Sequence, residues 1–357
     1  MRKLTFYRIL IFCVFLTFFS GCLSSNSTSF SWRFPFLRTV DGSENRKALI
    51  EKAEDGDPAS QYSYGFSLIY GDGVAKDVAE GLVWLEWAAD NGYVQAQANL
   101  GLLFLKGEKG VPRNPDKAVE FLEMASLGGN IQSQKQLAIH LLSKKNPIRD
   151  PEAGLFWLKK AVSQGDVNAQ VTLAQMYKRG IVVAEDRKES FRWFKEAAMQ
   201  GDSGAQLESG IACYRGLGTT QSFEAAYNWF IKASDQGEAA AMSNIGVMYG
   251  VGQYFEKDPK KALKWFKKSA ELGYADAQSN LGVAYYRGSG VKKDYSQASK
   301  WIRLAAEQGH DVAQFRLGYM YFSGEGVEKD MKSAVIWIMK SAQQGNLKAK
   351  QWLEDHK

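Results

Sequence analysis

The 357-residue chain has very little cysteine or histidine, and both shortages exclude kinds of site. Its cysteines are Cys13, Cys22 and Cys213. The first two lie in or beside an N-terminal apolar segment, so the folded part holds one cysteine and no disulfide framework or cysteine-based metal site. The histidines are His140, His310 and His356. They are far apart in sequence and none has a carboxylate at metal-ligand spacing, so the sequence predicts no metal, no cofactor and no catalytic constellation.

Proline is also scarce, with 7 residues, whereas glycine is frequent, with 34. This combination favours many tight turns between helices over proline-rich linkers. Apolar residues make up 45% of the chain and charged residues 24%, a balance typical of a packed fold rather than a disordered one. The formal net charge of +6 is mild for this length and argues against a dedicated nucleic-acid binder.

Residues 1–21 have the three parts of a bacterial secretory signal peptide. Positive charge comes first, from Arg2, Lys3 and Arg8. An apolar run from Ile9 to Phe19 follows, and it is shorter than the roughly 20 apolar residues that a membrane-spanning helix needs. Loss of this segment would remove three positive charges and no acid, which leaves a mature chain with a formal charge of +3.

The end of the signal, Phe19-Ser20-Gly21-Cys22, resembles the lipobox of bacterial lipoproteins, with Phe19 where the usual pattern has leucine. The resemblance implies that Cys22 becomes the first mature residue and carries lipid. It also implies an exported, membrane-anchored protein at the outer membrane or periplasmic face rather than the inner membrane, or at the cell surface. An ordinary cleaved signal and a retained signal anchor are the alternatives. Residues 22–42 are expected to form a flexible tether.

A period of 36 residues organises the rest of the chain. Glycines recur at this spacing, with a single interval of 37: Gly56, Gly92, Gly129, Gly165, Gly201, Gly237, Gly273, Gly309 and Gly345. We call them the register glycines and number positions from them. An aromatic residue stands eight before all but the first, and we expect it to pack in the core: Trp84, Phe121, Trp157, Trp193, Trp229, Trp265, Trp301 and Trp337. Each period reads as two helices joined by a glycine-rich turn, with an aspartate such as Asp330 capping the second helix.

Residues 277–291 (AQSNLGVAYYRGSGV) and 298–301 (ASKW) look like the Sel1-like repeat, a relative of the tetratricopeptide repeat. The resemblance covers nearly the whole mature chain. It implies an all-α fold, a right-handed α-solenoid of stacked helix-turn-helix hairpins, over residues 43–357. About eight repeats are expected, with half-repeats at both ends as caps. In relatives of this architecture the first helices line the concave surface, where a partner would bind.

Positions +7, +10 and +14 lie on one stripe of the first helices, beside the core positions. The +7 row contains Asn99, Gln136, Thr172, Glu208, Asn244, Asn280 and Arg316. The +14 row contributes a basic edge with Arg179, Arg215 and Arg287, and the apolar +10 row ends in Tyr319. Such a stripe suits a peptide or protein partner. An equally serious interpretation of the +7 row is structural, in which its side chains bond to the neighbouring hairpin.

The main functional hypothesis is therefore a non-catalytic protein-interaction scaffold in the bacterial cell envelope, of undetermined oligomeric state. One alternative is a hydrolase acting on β-lactams or peptidoglycan, because Ser289-Gly290-Val291-Lys292 matches a Ser-x-x-Lys pattern and cysteine-rich relatives have been associated with β-lactam binding. The other is an anionic lipid or glycan binder that uses a lysine stripe, which otherwise reads as a solvated face. The stripe comprises Lys257, Lys260, Lys261, Lys264, Lys267 and Lys268.

Overall fold

The computed structural model describes residues 44–144, 146 and 148–356. The expected signal peptide, the lipidation site at Cys22 and the tether of residues 22–42 lie outside these residues. All regular structure in the described part is α-helical, in eighteen helices without a strand, so the all-α prediction is confirmed. None of these helices is long and apolar enough to cross a membrane.

The chain divides into two compact units, the first ending at Glu185 and the second beginning at Asp186. The helices of the first unit are α1 (Glu44–Glu54), α2 (Pro58–Tyr70), α3 (Val78–Asp90), α4 (Val94–Lys106), α5 (Pro115–Leu127), α6 (Ile131–Leu142), α7 (Pro151–Ser163) and α8 (Val167–Arg179). From α2 onward these helices alternate between the first and second helix of a hairpin. Helix α1 precedes the first hairpin and packs against α2.

The second unit repeats the same alternation, starting from a second helix. Its helices are α9 (Arg187–Met199), α10 (Ser203–Arg215), α11 (Phe223–Asp235), α12 (Ala239–Val251), α13 (Pro259–Glu271), α14 (Ala275–Arg287), α15 (Tyr295–Glu307), α16 (Asp311–Ser323), α17 (Met331–Gln343) and α18 (Leu347–Asp355). Almost every helix has 13 residues, because the same start and stop signals return with each period.

The helix ends follow from local sequence. The carboxylate of Asp330 accepts from the backbone N–H groups of Lys332 and Ser333, which confirms the expected cap of α17. Every register glycine has a positive φ, as at Gly273 (φ 88°), where a side chain would be strained although the space around it is open. Gly282 serves a different purpose, since a Cβ there would lie 2.5 Å from Cγ1 of Ile302. Its missing side chain lets α14 and α15 pack closely.

The prediction that the aromatic row points into the core is only partly right. Phe121 and Trp157 are buried, but the other six aromatics are half-buried. The residue after them is the one that fills the core, as with Ile338, which is fully buried after Trp337. The apolar stripe of a second helix is centred on that next residue, which leaves the indole at the stripe's edge. There the ammonium of Lys340 lies 4.3 Å from the centre of the Trp337 ring.

A chain of glutamine side chains joins each hairpin to the next. The Nε2 group of Gln278, at position +5, donates to the carbonyl oxygen of Ala270 at 3.3 Å. The Nε2 group of Gln308, at the end of the same hairpin, donates to Oε1 of Gln278 at 2.7 Å and to the carbonyl of Gly273, in the turn before that hairpin, at 2.9 Å. The same side-chain pairing recurs at Gln134–Gln164, Gln206–Gln236 and Gln314–Gln344. The recurrent +5 glutamine is thus a buried link between repeats, a role that the sequence did not reveal.

Candidate partner-binding site

The +7 row begins in the first unit with a residue that serves the fold. Asn99 is buried, with 8% of its surface exposed. Its Nδ2 group donates to the hydroxyl oxygen of Tyr62 at 2.6 Å, across to the preceding first helix. Burial raises the pKa of Tyr62 to about 12, while the bond from Asn99 acts in the opposite direction. This geometry favours the structural interpretation for Asn99 and removes it from the surface that a partner can touch.

Further along the row the side chains differ in their bonding. The hydroxyl of Thr172 donates to the carbonyl of Asn168 at 2.8 Å, and the amide of Asn244 donates to the carbonyl of Ala240 at 3.0 Å, each within its own helix. The half-buried members of the row include Gln136, Glu208 and Asn280. These contacts make the row a set of separate local environments rather than one continuous amide ladder.

The basic edge is accessible. Arg179 in the first unit is exposed, and so are Arg215 and Arg287 in the second. None of the three forms a hydrogen bond or ion pair with another described residue. By contrast, Lys106 at the same position of an earlier repeat lies 3.5 Å from the carboxylate of Glu108. The arginine guanidinium groups therefore keep their full set of donors for a ligand.

In the second unit the structure brings three of the predicted residues together. Arg287, Arg316 and Tyr319 line one cavity of about 240 Å³. Its other lining residues are Val283, Tyr286, Ile302, Phe315 and Met320. The sequence analysis did not name these five, although Val283 belongs to the apolar +10 row and Tyr286 and Phe315 lie within one turn of the stripe. The floor is apolar and the charged groups come from α14 and α16.

Arg316 is held in place but is not neutralised. Its Nη1 group lies 3.4 Å from Oγ of Ser279, a long contact to an uncharged partner. Burial, and after it the charge of Arg287, lowers the pKa of the Arg316 guanidinium. Arginine nevertheless stays protonated in proteins. Two like charges therefore stand at one cavity, with no carboxylate bonded to either within the described part of the chain.

Tyr286 forms one wall of the cavity and is fixed by a contact with the next hairpin. The hydroxyl of Tyr286 donates to Oε2 of Glu325 at 2.6 Å. This bond raises the pKa of the Tyr286 hydroxyl and lowers the pKa of the Glu325 carboxyl. The ring of Tyr286 also meets Tyr295 edge-on, with centres 5.0 Å apart. A wall bonded on two sides loses little freedom when a ligand arrives, which favours binding.

The two alternatives from the sequence receive little support from the geometry. Ser289 is exposed in the turn after α14, not at the start of a helix where the Ser-x-x-Lys chemistry places its nucleophile. Several lysines of the α13 stripe already have partners, for example Lys261 with Asp258 at 3.7 Å and Lys268 over the ring of Trp265 at 4.7 Å. The stripe therefore resembles a solvated helix face. Within residues 44–356 as described, no cluster of metal-ligating side chains is present.

Stacked helical hairpins of 36 residues, linked side by side, define the class of all-α repeat solenoids. The chain belongs to the Sel1 repeat family, whose model matches residues 58–93, 94–130, 132–166, 167–202, 203–238, 239–274, 275–310 and 311–346. The predicted eightfold repetition is thereby confirmed. Proteins of this family are generally protein-interaction scaffolds.

One solved structure shows the same relationship. A Sel1 repeat protein from Oxalobacter formigenes is 32% identical, with a TM-score of 0.76 over 88% of this chain and 91% of that one. A protective antigen present in uropathogenic Escherichia coli strains is 28% identical, with a TM-score of 0.47 over 86% and 81% of the two chains. An immunity protein from Pseudomonas aeruginosa is 20% identical, with a TM-score of 0.39 over 60% and 81%. No curated protein matches the chain.

Proposed function

We propose that the chain is a non-catalytic scaffold that binds a peptide or protein partner on the first-helix stripe of its second unit. The observation that carries this proposal is the clustering of Arg287, Arg316 and Tyr319 around one apolar cavity. Tyrosine and arginine are the residue types enriched where protein partners bind most strongly, and a tyrosine ring loses little entropy on binding. Tyr319 keeps 42% of its surface exposed beside the cavity.

The scaffold function is tested by site-specific photo-crosslinking in the native bacterial host. A photoreactive phenylalanine analogue replaces Tyr319 on α16, or Ile336 on α17 as the matched control, since Ile336 is 53% exposed on a second helix of the same unit. A discrete crosslinked partner from position 319 and none from position 336 is the expected result. Equal labelling at both positions, or none at 319, would contradict the proposed surface.

The contribution of the basic edge is measured on the same partner. Charge reversal at Arg179, Arg215 and Arg287 should reduce its recovery, because exposed arginines set the rate and selectivity of association. Recovery that stays equal after all three reversals would remove the arginines from the binding surface. Circular dichroism of each variant checks that the helices are retained.

We further propose that the scaffold works in the cell envelope, anchored by lipid on Cys22 at the outer membrane or periplasmic face. The signal-like segment and the lipobox resemblance support this, and no part of it depends on the described residues. The test is the intact mass of the mature protein expressed in a bacterial host, with Cys22→Ala as control. A lipid-modified mass that starts at Cys22 is expected, and an unmodified mass that starts elsewhere would contradict the anchor.

A further inference from the structure

The cavity of the second unit combines an apolar floor with two charged groups. Its floor is apolar, formed by side chains such as Val283, Phe315 and Met320. Its rim holds two guanidinium groups, those of Arg287 and Arg316, that repel one another and have no described acidic partner. An anion placed between them would satisfy several free donors at once, and arginine forms its strongest hydrogen bonds with carboxylates.

The size of the cavity limits what can enter it. At about 240 Å³ it is smaller than the roughly 300–1,000 Å³ of pockets that enclose cofactors and drug-sized ligands. One large aliphatic or aromatic side chain fits such a space, whereas a nucleotide or a long acyl chain does not. The remainder of the ligand would therefore lie outside, along the first-helix stripe.

The neighbouring surface suits an extended peptide. Tyr319 lines the cavity and Val312 lies seven residues earlier on α16, and the two are exposed at 42% and 36% of their surfaces. Above the floor, the long contact of Arg316 with Ser279 leaves most guanidinium donors available. The order across the surface is thus an apolar hole, a cationic rim and an aromatic flank.

We propose that this cavity binds a peptide segment in which a carboxylate stands next to a bulky apolar side chain. The apolar side chain enters the hole, and the carboxylate lies between Arg287 and Arg316. This inference rests on the proposed scaffold function, since it names the chemistry of the partner at the same surface.

The test starts from a phage-displayed library of random heptapeptides, selected on the immobilised full-length protein. Peptides with aspartate or glutamate beside leucine, isoleucine, phenylalanine or methionine should be enriched. A fluorescein-labelled peptide of the enriched sequence is then titrated with protein and followed by fluorescence anisotropy. A second peptide, in which the acid is replaced by the neutral amide, is titrated in the same way. The two peptides are compared on the wild type and on each variant.

Arg287→Glu should weaken the affinity for the acidic peptide by roughly tenfold or more, as expected for a lost charge-assisted hydrogen bond. The amide peptide should bind the wild type and Arg287→Glu equally, because it has no charge to lose. A variant that merely misfolds would weaken both peptides alike. The matched control is Lys300→Glu, the same kind of charge reversal at an exposed residue of α15 outside the cavity lining, which should change neither affinity.

Enrichment of peptides without an acid, equal effects of Arg287→Glu on both peptides, or equal effects of Lys300→Glu and Arg287→Glu would each overturn the inference. These outcomes are independent of the photo-crosslinking test. A partner that crosslinks at position 319 and binds Arg287→Glu with unchanged affinity would leave the scaffold function intact and reject only the acidic-peptide chemistry. An acidic peptide that binds as described, without any crosslinked partner in the host, would support the acidic-peptide chemistry and contradict the scaffold function.

Discussion

Asn99 in the first unit and Arg316 in the second occupy the same register position but have different roles. Each reaches the +6 residue of the preceding first helix, which is Tyr62 for Asn99 and Ser279 for Arg316. The first pair is short and buried, whereas the second is long and lies beside an open cavity. One position of the repeat therefore gives a structural bond in one unit and a binding feature in the other.

The difference lies in the size of the +6 residue. The ring of Tyr62 fills the space between the two first helices and packs on Phe66 and Tyr93, with ring centres 4.8 and 5.2 Å away. Ser279 is too small to do so, although it is itself buried. The second pair therefore has no ring between its helices, and Arg316 lines the cavity instead.

The largest expected effect is on stability and appears at the large +6 residue. Tyr62→Ala should lower the free energy of unfolding by about 3 kcal/mol, because it removes a packed aromatic ring and leaves a cavity. The matched change Ser279→Ala should cost less than about 1 kcal/mol, since it removes one hydroxyl with a weak contact. Urea unfolding followed by circular dichroism measures both. Equal costs would show that the two pairs are energetically alike.

The next effect is on binding and comes from the second pair. Arg316→Asn, which gives the second pair the +7 residue of the first, should weaken binding of the acidic peptide by roughly tenfold or more, because one guanidinium that lines the cavity is lost. Ser279→Ala is the control, with peptide affinity unchanged, because Ser279 does not line the cavity. Retained affinity in Arg316→Asn would place the peptide elsewhere.

A smaller effect separates the two polar contacts themselves. A double-mutant cycle of Tyr62→Phe with Asn99→Ala should give a coupling energy of about 1 kcal/mol, typical of a buried hydrogen bond. The corresponding cycle of Ser279→Ala with Arg316→Ala should give less than about 0.5 kcal/mol, because 3.4 Å is beyond the usual bonding distance. Urea unfolding of the four variants in each cycle supplies the numbers. Comparable coupling energies in the two cycles would contradict the proposed difference between the Tyr62–Asn99 and Ser279–Arg316 pairs.

The last effect is confined to alkaline solution. The pKa of Tyr62 is about 12 in the folded chain and 10.0 in its ordinary state, so folding favours the neutral phenol. That stability is fully present below about pH 10 and is lost as the pH rises towards about 12. Tyr62→Phe should therefore show a shallower loss of stability between about pH 9 and about pH 11 than the wild type. Ser279→Ala should keep the wild-type slope, and an unchanged slope in Tyr62→Phe would exclude this origin.

The sequence predicted those features that depend on local backbone chemistry. Glycines with positive φ, such as Gly273, and capping carboxylates, such as Asp330, act within a few residues of themselves. Their spacing therefore shows the period and the hairpins directly. The aromatic row was located correctly, but its depth was not. The direction of Trp337 depends on a rotation of its helix by less than one residue, which a periodic pattern does not resolve.

The candidate site was predictable only in outline. The stripe of +7, +10 and +14 positions includes Arg287, Arg316 and Tyr319, which line one cavity. Whether a side chain on it is free depends on the residue 37 positions earlier, as Asn99 and Tyr62 show. The same is true of the glutamine links, whose partners are 30 residues apart. Such contacts depend on which residues of neighbouring helices lie opposite each other in the folded chain. The sequence of the +7 row alone therefore could not distinguish a buried asparagine from an accessible arginine.

The glutamine links have a consequence for how the molecule can change in length. Gln278 bonds to Ala270 at the end of the preceding hairpin, eight residues earlier, and Gln308 of its own hairpin bonds to Gln278 and to Gly273. Tyr286 and Glu325, 39 residues apart, likewise join adjacent repeats. Excision or duplication of one 36-residue period inside the second unit would give each remaining glutamine a new neighbour in the same register. Folding that needs only such near contacts has a low contact order, so growth by whole repeats adds binding surface without slowing assembly.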